Sequence, residues 1–149
     1  MIYARIPLLI VMMILLTTEL SSNMGIDIII ISNKNIPETL LNKEDIKDIY
    51  LGKKISWSNN ESIYLGEIED VELRQIFTRE YLDKTFTQYI NHWRQLVFTG
   101  KGNPPYSFKT EADLIQWISK TNGAIGYISS MRSLYELKVT NVKIIFIEE

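Results

Sequence analysis

Hydrophobic and polar positions alternate between two periods along this chain. GIDIIIIS, at residues 25–32, carries a β-branched run from Ile26 to Ile31 with no polar interruption after Asp27. That pattern predicts a strand buried on both faces and central in its sheet. Past Pro37, Asn42 is placed to cap a short helix that runs to about Leu51. Asp45 sits in its first turn, where an acid favours the positive helix end, and Gly52 ends it in the left-handed conformation. Ile63 and Leu65 suggest a second strand. Asp70 then caps a helix containing Val71, Leu73, Ile76, Phe77 and Leu82, whose apolar spacing is helical. From Thr85 to Phe98 the spacing of Phe86, Ile90, Trp93 and Val97 predicts another helix with those four on its core face. Gly100 stops it, and Pro104 and Pro105 in KGNPPYSF keep the following segment a loop, because proline lacks the N–H a helix needs. Thr110 opens a helix through Leu114, Trp117 and Ile118. Gly123 to Ile128 reads as a strand, Ser129 to Tyr135 as a short helix, and Val142 to Ile147 as a last strand. The order β, α, β, α, α, α, β, α, β points to an α/β layer fold with some parallel pairing.

The start of the chain follows a different logic. Arg5 is the only early charge, and Ile6 to Leu16 form an apolar run of 11 residues before Thr17, Thr18 and Glu19. This is the layout of a secretory signal peptide, and the run is far shorter than the roughly 20 residues of a membrane span. The expected division is a signal peptide over residues 1–22 and a domain over 23–149, with cleavage near Ser21 to Asn23 and a periplasmic or secreted product. A buried core helix and an uncleaved N-terminal anchor are the alternatives.

Composition narrows the function classes. The 149 residues suit one domain, and shares of 46% hydrophobic and 23% charged residues fit a packed core. A formal charge of −2, with Lys and Arg scattered among acids, argues against nucleic acid as a partner. The chain has no cysteine and one histidine, His92, so disulfides, thiolate nucleophiles and zinc-type ligand spacings drop out. No motif assembles a nucleophile, base and orienting group, and no cofactor or metal is expected.

Three segments carry a resemblance. Leu40 to Asn59, LLNKEDIKDIYLGKKISWSN, contains the turn Ile49-Tyr50-Leu51-Gly52-Lys53. HWRQLVFTGKGNPP, His92 to Pro105, and NGAIGYI, Asn122 to Ile128, follow in order. Together they resemble phosphate ABC transporter substrate-binding proteins, nearest to their short, single-lobe members. The resemblance implies one lobe of a type II periplasmic-binding-protein-like fold, a mixed sheet flanked by helices. It also implies a solute-binding role for an ABC-type uptake system, with phosphate or another small oxyanion as ligand and an ABC permease or other envelope protein as partner. Larger members of that family hold ligand between two lobes, so a single lobe needs a second surface, such as a homodimer, to bury a small ligand. The resemblance further implies an Arg followed by a Ser-Gly-Thr turn at a helix start. Here the Arg place falls on Glu67 and the turn on Val71-Glu72-Leu73, with Glu67, Glu69, Asp70 and Glu72 crowding the helix end. Those acids repel an anion.

The candidate ligand-binding residues are therefore Arg74, Lys101, Gly102 and Asn103. The 101–103 loop can offer N–H groups and a cation, or be only the turn that leaves the preceding helix. Arg74 can meet an anion, or pair with an acid on the Asp70 or Glu69 side. His92 reads as a solvated helix-surface residue. Trp93 and Trp117 read as core, with Trp57 open between core packing and ligand stacking. An exported protein-interaction or sensory module that keeps the lobe without a ligand is the reading from another class.

Overall fold

The computed structural model of the chain describes residues 26–129, 133, 135 and 141–148; the expected signal peptide and most of the expected helix over 129–135 lie outside them. Within that range the order is β1 (Ile29–Asn33), β2 (Leu40–Asn42), α1 (Lys43–Tyr50), β3 (Tyr64–Ile68), α2 (Val71–Leu82), α3 (Phe86–Phe98), β4 (Tyr106–Phe108), α4 (Glu111–Lys120), β5 (Ala124–Ile128), β6 (Val142–Ile144) and β7 (Phe146–Glu148). The five-stranded sheet is mixed, in the order β4-β3-β5-β1-β6. β3 pairs in parallel with both β4 and β5, whereas β1 runs antiparallel to β5 and β6. The expected α/β lobe with a mixed sheet and flanking helices is what forms.

Two glycines set how closely the layers approach. On one face α4 presses Leu114, Trp117 and Ile118 onto β3 and β5. A Cβ on Gly66 would lie 2.5 Å from Leu114 Cδ1, and one on Gly126 2.9 Å from Ile118 Cδ1, so only glycine admits the helix there. The opposite face carries α1, α2 and α3. There Phe77 stacks on Tyr127 with centroids 3.8 Å apart, and Tyr50 meets Phe77 edge-on at 4.7 Å.

Several sequence expectations change. β2 and β4 were not anticipated: each has three residues, too few for a period to register, and β4 forms within the KGNPPYSF segment read as a loop. The expected last strand is broken at the buried Ile145. Its N–H goes to Ile30 O at 2.9 Å, and the next residue, Phe146, crosses to the two-stranded sheet with β2 through Thr39 O at 3.0 Å. On α3 the buried positions are Tyr89 and Trp93, with Phe86 and Leu96 half-buried. Val97 faces solvent, because the buried stripe runs through positions 86, 89, 93 and 96 and not through 86, 90, 93 and 97.

The helix caps follow the chemistry of the sequence. Asn42 and Asp45 form a reciprocal capping box on α1, and Thr85 and Gln88 form one on α3. Asp70 caps α2 by accepting from Leu73 N at 2.9 Å.

Candidate functional site

The loop candidates and Arg74 do not meet. Lys101, Gly102 and Asn103 line a groove of about 390 Å³ with Lys54, Ile55, Tyr64, Trp93 and Tyr106. Arg74 lies elsewhere, against Ser107, with Nη2 2.9 Å from Ser107 Oγ. Tyr106 and Ser107 are successive residues of β4 and point to opposite faces, so the strand separates the two places.

The groove is built around Trp93. Its indole N–H donates to Tyr50 O at 3.1 Å, and its ring fills the space left by two glycines. A Cβ on Gly52 would come within 3.1 Å of Trp93 Cη2, and one on Gly102 within 3.2 Å of Cζ3. Gly102 is therefore explained by packing. Gly100 takes φ 68°, and the next N–H, that of Lys101, donates to Leu96 O at 2.8 Å to close α3. That donor is spent on the helix end and unavailable to an anion. What the loop does offer is the Lys101 ammonium, exposed and without an acidic partner among the described residues. Lys54, the second cation in the groove, is held by Asp45 at 3.2 Å. Ile55, Tyr64 and Tyr106 at the rim are exposed.

His92 is half-buried instead of solvated. Its Nε2–H donates to Leu51 O at 2.8 Å, an orphan carbonyl at the end of α1, and so ties α3 to the Gly52 turn. Trp57 resolves as core: it is buried, with Nε1 donating to Gly123 O at 2.9 Å. Trp117 is half-buried, between Tyr106 and Phe108.

On the other side of β4, Arg74 pairs with Glu67, Nη2 to Oε1 at 2.9 Å, and its guanidinium lies over the Phe86 ring at 5.6 Å. The partner is thus Glu67, two residues before Glu69, and not Asp70. Both partners are largely enclosed, the Arg74 side chain at 14% and the Glu67 side chain at 7% exposure. Tyr89 Oη donates to Glu67 Oε2 at 3.4 Å, and Ser107 Oγ to Oε1 at 3.5 Å. Burial pushes the Glu67 carboxyl above its ordinary value, and the Arg74 charge with the Tyr89 and Ser107 hydroxyls draws it part of the way back. Burial raises Tyr50, Tyr89 and Tyr127 well above the ordinary tyrosine range, with Glu67 adding to each, so all three stay protonated.

The helix starts are occupied by the chain's own carboxylates. Between the first turns of α2 and α4 lies a hollow of about 310 Å³ lined by Glu69, Asp70, Lys109, Thr110, Glu111 and Ser129 among others. Asp70 caps α2, and Glu111 Oε1 accepts from Ser129 N at 2.6 Å and from Ser129 Oγ at 2.8 Å. N–H groups that elsewhere receive a free anion are answered here by side chains.

No protein-family model matches the chain, and no curated protein matches it by sequence. Solved structures do match. The fold is shared with PstS from Borrelia burgdorferi at 17% identity and a TM-score of 0.61, over 82% of this chain and 47% of that one. It is also shared with an ABC-type phosphate transport receptor from Vibrio cholerae at 19% identity and a TM-score of 0.52, over 82% and 46%. A phosphate-transporter-type binding protein from Clostridium perfringens, solved with bound phosphate, matches at 16% identity and a TM-score of 0.52, over 78% and 52%. The chain thus spans about half the length of the structures it matches, and what it shares with them is the fold.

Proposed function

We propose that this chain is a binding lobe of the solute-binding-protein type and not an enzyme, serving an ABC-type uptake system from the periplasmic or secreted side. Its ligand class is a small oxyanion, phosphate being the simplest case. The observation that carries this reading is the fold, which matches two proteins named for phosphate transport over about four fifths of the chain. Lys101 is the cation placed to meet such a ligand, with Gly102 and Asn103 beside it, and Arg74 drops out of the ligand set because Glu67 already holds it. A single lobe offers one wall, so tight binding requires a second surface from another copy or from a permease.

A second reading is favoured by the carboxylates at Glu67, Asp70 and Glu111: an exported interaction or sensory module that has kept the lobe and lost the ligand. Calorimetry separates the two. The isolated protein should bind phosphate or sulfate no more tightly than about millimolar, near −4 kcal/mol. Lys101→Ala should weaken whatever binding remains, and added salt should do the same, because that ammonium is exposed. Absence of heat at high anion concentration favours the interaction module. Micromolar affinity untouched by Lys101→Ala would place the ligand elsewhere and defeat the assignment of Lys101.

Export is part of the same proposal. Mass spectrometry of the secreted or periplasmic fraction should find a mature N-terminus between Ser21 and Gly25, an expectation supported by the length and flanks of the Ile6–Leu16 run. Recovery of the full-length chain alone counts against cleavage. Among the described residues no helix is long and apolar enough to cross a membrane.

A further inference from the structure

The cluster around Glu67 contains more donors than its carboxylate uses. Arg74 approaches end-on through Nη2 alone, and its Nε–H is buried with no acceptor among the described residues. Tyr127 is 1% exposed, its ring is fixed by stacking on Phe77, and its hydroxyl also has no partner among the described residues. Tyr50, by contrast, donates to Gly66 O at 3.3 Å. The contacts that Glu67 does make with hydroxyls, 3.4 Å from Tyr89 and 3.5 Å from Ser107, lie at the far limit of an O–H···O bond, which is ordinarily near 2.7–2.8 Å. Buried donors without acceptors are uncommon and ask for an explanation. A carboxylate tethered to a strand is held at these long distances, whereas a free one can settle closer to its donors.

We propose that Arg74, Ser107, Tyr89 and Tyr127 form a small-oxyanion site whose resident anion is the chain's own Glu67, and that it takes a free carboxylate no larger than acetate once that side chain is gone. In the native protein the site is permanently filled and closed to solute, so the lobe is held in an anion-occupied arrangement without binding anything. α2 supplies Arg74, α3 Tyr89 and β4 Ser107, so the resident anion on β3 joins three elements, and β5 adds Tyr127 as a buried donor that it leaves unused. This inference is independent of the groove at Lys101, which lies across β4.

Glu67→Ala is the test, with formate and acetate as probes and chloride at equal ionic strength as the control. Formate should bind the variant at least about tenfold more tightly than it binds the native protein. It should also raise the melting temperature of the variant, as any ligand selective for the folded state does. If Glu67→Ala is unfolded in buffer, recovery of native tryptophan fluorescence in formate but not in chloride is the same positive result. The double variant Glu67→Ala with Arg74→Met removes both charges and should lose the response while remaining folded; adding Tyr127→Phe to Glu67→Ala should reduce it. Equal effects of formate and chloride on Glu67→Ala, or a formate response that survives Arg74→Met, would show a structural ion pair only and overturn the proposal. None of the three substitutions touches Lys101, so failure here leaves the groove reading to stand or fall on its own calorimetry.

Discussion

Arg74→Met is expected to cost the folded protein about 3–5 kcal/mol at neutral pH, the usual penalty for removing one partner of a buried pair and leaving the other charge enclosed. Methionine keeps most of the length and the contact with Phe86, so the loss measures the stranded Glu67 carboxylate more than a cavity. The pH dependence follows from the direction of the Glu67 shift. Burial already raises this carboxyl from 4.5, and removing the nearest cation raises it further. A carboxyl raised in the folded state destabilises when charged, so the deficit is full at neutral pH. It shrinks as pH falls through the raised folded value towards the ordinary one, where the unfolded chain is protonated as well. Urea titrations of the variant and the native protein between neutral and mildly acidic pH check this. A deficit that is small at neutral pH, or that grows on acidification, would mean that Glu67 reaches solvent or finds another donor in the variant.

That pair also shows where the sequence was legible and where it was not. The caps at Asn42, Asp70, Thr85 and Thr110 could be read directly, because capping depends on residues three apart in the chain. The left-handed turn at Gly52 could be read the same way. The ion pair joins a strand to a helix, and its signal was strand parity. Leu65 and Glu67 are two apart on β3, so the face that buries the leucine also buries the acid and demands a cation beneath it. As one of four acids near a helix start Glu67 would repel an external anion; paired with Arg74 it serves as an internal one. β4 was hidden for a different reason. Its three residues are strand only because β3 provides a parallel partner, with Gly66 opposite Tyr106 and Ile68 opposite Phe108. No local pattern records that. Val97 lies outside the core because steps of three and four admit two neighbouring stripes, and the one that packs is 86, 89, 93 and 96, with Leu96 inside in place of Val97.

The same distinction bears on function. Motif order placed the chain in the right architecture, since GKK, GKGNPP and NGAIGYI encode turns and close packing in this chain. Gly52 and Gly102 both make room for Trp93, and the Gly123 carbonyl receives the Trp57 indole N–H. These residues preserve a fold, and a fold alone does not specify a ligand. The charged residues carry the proposed ligand reading: the chain has carboxylates near the starts of α2 and α4 and Lys101 lining a groove.

Trp93→Ala is the substitution expected to disturb that groove and the fold together. The indole is 5% exposed and occupies the junction between the Gly52 turn and the 100–103 loop, touching the backbone at both glycines. Deleting it should cost about 3–5 kcal/mol, from lost apolar burial and from the cavity that two turns fixed by other hydrogen bonds cannot collapse to fill. It also leaves the Tyr50 carbonyl without its side-chain donor. A domain of this size has a total stability of roughly 5–15 kcal/mol, so the variant should keep only a fraction of its resistance to urea. Trp93→Phe separates the contributions: it retains a ring between the glycines, loses the N–H, and should cost about 1–3 kcal/mol. Phe98→Ala, five positions on and 93% exposed, should change stability by no more than about 0.5 kcal/mol. Because Trp93 also lines the cavity beside Lys101, any oxyanion binding lost in Lys101→Ala should be lost in Trp93→Ala too, through displacement of the loop and not of the charge. A stability loss below about 1 kcal/mol in Trp93→Ala would show that the ring is not wedged between the turns. The groove would then be shaped by its own loop hydrogen bonds, such as that from Lys101 N to Leu96 O.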